Sequence, residues 1–199
     1  MSCTTVIIVP GFNGSGPDHW QTRWHASRSD CVRVEQAAWH DPEPGAWCAA
    51  LDAAIAAAPG HVVLVAHSLG CATVAHWAGS AAVDRVAGAL LVAPCDVDRP
   101  GLPAAIARFA PMPRRGLPFR STVVASSNDT YATLPRARQF AADWGSAFID
   151  AGAIGHINSA SGLGDWPFGQ VLLDTLIATA DADRTPYRRA AALRAEEMA

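Results

Sequence analysis

Short apolar runs of strand type alternate along this chain with longer stretches of helical spacing, and Gly, Pro and small polar residues punctuate the joins. Runs at residues 4–9, 31–35, 61–66, 86–93, 121–126 and 147–150 predict strands. Helices are expected at 18–28, behind Gly16-Pro17, and at 45–58, an Ala-rich stretch that stops at Pro59-Gly60. Further helices are expected at 69–80, at 134–144 behind Thr133, and at 168–180 behind Trp166-Pro167. Alternation at this spacing predicts βαβ units, hence a mostly parallel sheet covered by helices on both faces. Sheets of that kind bind ligands beyond the carboxyl ends of their strands, so the loops after strands are the place to look for chemistry.

The third of those loops is the most informative. The apolar run from His61 to Ala66 stops at His67-Ser68-Leu69-Gly70, and a helical stretch begins at once. Strand, tight turn carrying Ser, then helix is the layout of a nucleophile elbow. The serine sits at the apex in an unfavourable backbone conformation, so the residues two before and two after it must be small where strand and helix cross. Ala66 and Gly70 meet that demand, with Ala in the place more often held by Gly. The helix behind the turn aims its N–H groups and positive dipole end at the serine. The competing interpretation is a serine that merely caps a helix after a buried strand.

A serine nucleophile needs a base to take its proton and an acid to orient that base, in the chain order Ser, Asp or Glu, His for this layout. Ser68, Asp129 and His156 follow it. Asp129 lies just past the run at 121–126, and His156 just past the run at 147–150. Taken singly, Asp129 in Asn128-Asp129-Thr130 also reads as turn chemistry, and His156 as a loop histidine beside a glycine. Asp96, in Pro94-Cys95-Asp96 after the preceding strand, is a rival acid. An oxyanion needs two backbone donors. Leu69 N–H is one candidate; the other is Phe12 N–H, with Asn13 next, in the loop Pro10-Gly11-Phe12-Asn13-Gly14-Ser15-Gly16 after the first strand. The glycines of that loop fall as G-x-x-G-x-G, which is not the dinucleotide fingerprint. Asn13, Trp20, Trp166 and Phe168 are candidates for substrate contact in an apolar pocket; packing is the plainer role for aromatics at such spacings, and for Trp24 the preferred one.

Composition narrows the classes. The 199 residues carry a formal net charge of −3, which points to neither nucleic acid nor an anionic membrane as partner. No apolar run is long enough for a transmembrane helix. The first residues lead directly into a strand pattern without the features of a secretory leader, so a cytoplasmic protein is expected. Five scattered cysteines (Cys3, Cys31, Cys48, Cys71, Cys95) without a C-x-x-C suggest free thiols, and the histidines show no metal-ligand spacing. All fifteen basic residues are arginine. Without lysine there is no Walker-type P-loop, no Schiff-base chemistry and no Ser-Lys dyad. No cofactor is expected; the expected partner is a small-molecule acyl substrate, with a protein partner possible but without support in the residues.

Residues 94–118, rich in Pro and Arg, read as a long loop with a short helix near 102–109, either edging the site as a minimal lid or simply connecting elements. It is too short for a cap domain. The division expected is a domain over 1–180 and a tail over 181–199, where Thr185-Pro186 resembles a helix start running on to Met198.

Together, several blocks resemble the retinoblastoma-binding protein nine-like serine hydrolases, a small family of the α/β-hydrolase fold. They are Val9-Pro10-Gly11 with Gly14-Ser15-Gly16-Pro17-Asp18-His19-Trp20-Gln21, then Ala66-His67-Ser68-Leu69-Gly70, Asn128-Asp129 with Tyr131, Gly155-His156-Ile157-Asn158, and Ser161-Gly162-Leu163-Gly164-Asp165-Trp166-Pro167. The chain departs from the family pattern at Thr130, where Pro is common, and at Phe168, where Glu is common. The resemblance, which runs from about Thr4 to Ala180, implies an α/β-hydrolase fold and Ser68, Asp129 and His156 as a catalytic triad. The expected activity is hydrolysis of small carboxylic esters or related acyl compounds; amides, peptides and thioesters suit the same constellation. A protein-binding module with a vestigial site is the alternative, since the family's name records a binding role.

Overall fold

The computed structural model describes residues 4–180 and 182. Strands β1 (Thr4–Val9), β2 (Cys31–Arg33), β3 (His61–His67), β4 (Val86–Val92), β5 (Ser121–Ala125) and β6 (Ala147–Asp150) pair into one six-stranded sheet in the order β2-β1-β3-β4-β5-β6. Every pairing is parallel. Helices α1 (Trp20–Ser27), α2 (Pro44–Ala57), α3 (Leu69–Trp77), α4 (Ala104–Ala107) and α5 (Leu134–Trp144) are joined by α6, over 167–180. This is the α/β-hydrolase fold.

The two-residue period of a strand divides the core into two layers. Ile7, Val9, Leu64, Ala66 and Leu91 face one side, packed against Trp47 and Leu51 of α2, Val74 and Trp77 of α3, and Phe140 and Trp144 of α5. Val6, Ile8, Val63, Val65 and Leu90 face the other, against Trp20 and Trp24 of α1 and Leu173 and Leu176 of α6. The central strands are buried on both faces, and the edge strand β6 is not.

Most boundaries match the periodicity, and the differences have local causes. The first helix starts at Trp20 because Gly16-Pro17-Asp18 turns and His19 caps it, its Nδ1 accepting from the Gln21 N–H. The stretch expected as helix over 69–80 ends at Trp77, and a 3-10 turn (Ala81–Arg85) follows. The Arg85 guanidinium then donates to the carbonyls of Ile55 and Ala56 and to Ala58 and Gly60. It thereby satisfies the open C-terminal end of α2. The helix expected over 185–198 lies outside the described residues.

The sheet order also locates a crevice. The chain leaves β1 toward β2 on one side and leaves β3 toward β4 on the other. Connections that part in opposite directions open a gap beyond the carboxyl ends of two adjacent strands. Residues 10–16 follow β1, and Ser68 follows β3. Among the described residues, no helix is long and apolar enough to cross a membrane.

Candidate active site

Ser68 occupies the junction of β3 and α3 with φ 54° and ψ −120°. That conformation is strained for a residue with a side chain and is kept only where the surroundings enforce it. They do so by close packing of backbone. A Cβ at Gly70 would stand 2.3 Å from the Val9 carbonyl oxygen, and one at Gly11 would stand 2.9 Å from the Ser68 Cβ. The small residue at position 70 is therefore needed against the end of β1, a strand remote in sequence, rather than against β3 alone.

Three loops converge on this serine. His156 Nε2 lies 2.8 Å from Ser68 Oγ. On the far side of the ring, Nδ1 lies 2.8 Å and 3.0 Å from the two oxygens of Asp129. Since a carboxylate only accepts, Nδ1 carries the proton and Nε2 offers a lone pair to the serine hydroxyl. The Asp129 side chain is 3% exposed, which shields the pair from water. Its Oδ1 also accepts from the Tyr131 N–H. The acid and histidine loops are tied together as well. Asn128 Oδ1 accepts from the Gly155 N–H and Ser126 Oγ from the Ile154 N–H, at 2.7 Å and 2.9 Å.

Leu69 and Phe12, which both line the cleft beside Ser68, keep backbone amides without protein partners among the described residues. The Leu69 N–H is the first of α3, and the Phe12 N–H lies in the loop that Gly11 presses onto the elbow. The Asn13 N–H, second choice for this role, is instead donated to the Trp39 carbonyl. Gln21, fully buried, holds the loop by accepting from Ser15 Oγ and donating to the Val9 and Val65 carbonyls.

A cleft of about 220 Å³ opens above Ser68. Phe12, Leu102, Ile106 and Tyr131 supply its apolar wall; Asn13 and Asn158 add polar edges. Among the described residues, no Asp, Glu or Arg lines it.

A family model described as serine hydrolase matches residues 6–175. The chain belongs to the serine hydrolase family. The retinoblastoma-binding protein nine-like proteins fall within the same family. Among solved structures, it is similar to a protein described as a YdeN-like hydrolase from Pectobacterium atrosepticum, at 28% identity over 89% of each chain and a TM-score of 0.74. The ydeN gene product of B. subtilis is 18% identical, with 88% of this chain and 99% of that one covered and a TM-score of 0.70. Est1E from Butyrivibrio proteoclasticus, solved with ferulic acid bound, shares the fold at 13% identity, covering 89% of this chain and 90% of that one, with a TM-score of 0.64. No curated protein matches the chain.

Within this serine hydrolase the rival acid is committed elsewhere. Asp96 accepts from Arg136 Nη2 at 3.0 Å, and the same guanidinium reaches Asp98 at 2.6 Å. Cys95 is the other nucleophile type on the cleft wall, but burial pushes its thiol up to about 12, so it stays protonated beside Ser68. Among the described residues no cluster of His, Cys, Asp and Glu has the makings of a metal site.

Three aromatics expected to touch substrate do not line the cleft. Trp20 and Trp166 are core residues, 1% and 3% exposed, packed on each other and on Trp24 beneath the site. Trp20 and Trp24, one turn apart on α1, both enter the core layer on that face of the sheet, and Trp166 packs over Gly169, where a Cβ would stand 2.1 Å from its ring. Phe168 is half exposed on α6, outside the cleft. Conversely, the sequence offered no strong sign that Leu102 and Ile106 of the 94–118 segment would form a wall, or that Tyr131 would lie 4.3 Å from the His156 ring. The segment 94–118 edges the cleft and also buries Phe109 and Met112 in the core.

Proposed function

We propose that this protein hydrolyses small, uncharged carboxylic esters or related acyl compounds through an acyl-enzyme on Ser68. The observation that carries the reading is the unbroken run of hydrogen bonds from Ser68 Oγ to His156 Nε2 and from His156 Nδ1 to Asp129. Ser68 Oγ attacks the substrate carbonyl carbon while His156 Nε2 takes its proton. Asp129 keeps the imidazole in the required tautomer and stabilises the imidazolium. The Leu69 and Phe12 amides receive the developing oxyanion. The C–O bond to the leaving group then breaks, and His156 returns the proton to the departing alkoxide. Water attacks the acyl-enzyme by the same route in reverse, and Ser68 recovers its proton. The chain supplies nucleophile, base, acid and oxyanion donors, so no cofactor is required.

A small cleft with an apolar wall and, among the described residues, no Asp, Glu or Arg in its lining favours a short neutral acyl group over a charged or long one. Amides and thioesters use the same steps, with a different leaving atom.

A fluorophosphonate probe tests the reading. Stoichiometric adduct at Ser68 by mass spectrometry, absent in Ser68→Ala, is the expected result. A folded protein that takes up no label would overturn it.

A further inference from the structure

The turn that carries His156 has no regular structure of its own, and it is strained. Gly155 has φ 65°, and Ile157, fully buried, has φ 49°. A β-branched residue adopts a left-handed conformation only where its neighbours impose it. The N–H groups of the turn are held by Ser126 and Asn128 of the acid loop. Its carbonyls are held by two side chains outside the triad. His67 Nε2 donates to the His156 carbonyl at 2.9 Å, and Trp20 Nε1 donates to the Ile157 carbonyl at 2.8 Å.

Both donors are buried. His67 is 5% exposed and Trp20 is 1% exposed. The His67 ring lies 4.9 Å from His156 and 4.7 Å from His19, and Trp20 is packed against Trp24 and Trp166. Burial, helped by the neighbouring His156 and His19, keeps the His67 imidazole neutral. A neutral ring has one N–H, and a carbonyl only accepts, so the proton is on Nε2. The consequence lies in the order of the chain. His67 and Ser68 are consecutive, and they grip the two ends of the same residue: Ser68 Oγ meets the His156 ring, and His67 meets the His156 carbonyl.

Resting on the triad reading above, we propose that His67 and Trp20 are positioning residues that set the Ser68–His156 distance by clamping the carbonyls of the His156 turn. The clamp sorts the roles of the elbow. Ser68 reacts, the residue before it fixes where the base stands, and the residue after it offers an oxyanion donor.

The test compares His67→Leu, which removes the donor, with His67→Gln, whose amide N–H can reach the same carbonyl. Readouts are p-nitrophenyl acetate hydrolysis, the fluorophosphonate labelling rate, and the low-field proton NMR signal of the His156–Asp129 hydrogen bond. In His67→Leu, kcat is expected to fall about 10- to 100-fold with KM within about threefold, as for a reacting group displaced by a fraction of its contact distance. Labelling should slow in proportion and the low-field signal should broaden or vanish. His67→Gln should recover most of all three. Trp20→Phe keeps an aromatic ring but loses the N–H, and should repeat the kcat effect from the next carbonyl; it carries the test if His67→Leu does not fold. A folded His67→Leu or Trp20→Phe that melts lower but keeps wild-type kcat, labelling rate and low-field signal would overturn the clamp. Labelling of Ser68→Ala as fast as wild type would instead overturn the triad reading.

Discussion

Gly70 and Val9 are in backbone contact across the site: a Cβ on Gly70 would stand 2.3 Å from the Val9 carbonyl oxygen and 2.8 Å from that of Pro10. This contact seats the first turn of α3 on the end of β1. Leu69 and Phe12, which follow different strands, thereby line one cleft.

Gly70→Ala therefore has no rotamer by which to escape, because the obstacle is backbone. We expect a loss of about 2–3 kcal/mol or more in stability, from overpacking at a site that cannot shift. Gly45→Ala is the matched control. That residue is exposed within α2 and a Cβ there meets nothing within 4 Å, so a gain of about 0.5–1 kcal/mol is expected. Urea unfolding of the two variants checks both signs.

Asp129→Asn should reduce kcat for p-nitrophenyl acetate by about 10⁴-fold, since an amide favours the wrong imidazole tautomer. Asp96→Asn should leave kcat within about threefold of wild type and cost about 1 kcal/mol through its weakened pairing with Arg136. Equal losses of activity in the two variants would refute the assignment of the acid.

Stability should fall on mild acidification. Burial, then Arg33, then His156 lower the His19 imidazole to about 4, and burial holds His67 well below the ordinary histidine value. Between pH 6.5 and 4 the unfolded chain thus binds more protons than the folded one, so the folding free energy these groups favour is present above pH 6.5 and lost as pH drops toward 4. His19 alone accounts for about 2–3 kcal/mol between pH 7 and 4.5. Urea melts at the two pH values measure the slope. His19→Asn, which retains a capping side chain for α1, should flatten it.

Leu102 forms part of the apolar wall from a half-buried position. Leu102→Ala should raise the kcat/KM ratio of p-nitrophenyl butyrate to acetate about 3- to 10-fold, the scale set by one or two methylenes in an apolar pocket. An unchanged ratio would mean that the acyl chain lies elsewhere.

The sequence by itself determined the elements and their order. Its apolar runs and helical stretches alternate, so the parallel sheet and its helices were legible, as was the elbow, which is written locally in Ala66, Ser68 and Gly70. Candidate residues for base and acid could be ordered along the chain, but not joined. Whether His156 meets Asp129 or Asp96 depends on how β5 and β6 stack beside β4, and on Arg136 of α5 arriving to pair with Asp96. Trp20, Trp166 and Phe168 look alike as bulky aromatics near the motifs; only packing separates a tryptophan under the site from a phenylalanine on the surface. Leu102 and Ile106 sit in a segment without a strong period, which the sequence left as either an edge of the site or a plain connection, and nothing local singled out these two side chains as a wall. Periodicity and turn chemistry depend on neighbours a few residues away and are written in the chain. The destination of a side chain, and the hydrogen bonds it makes there, depend on residues far away along the chain, 137 positions in the case of Trp20 and Ile157, and only the folded arrangement decides them.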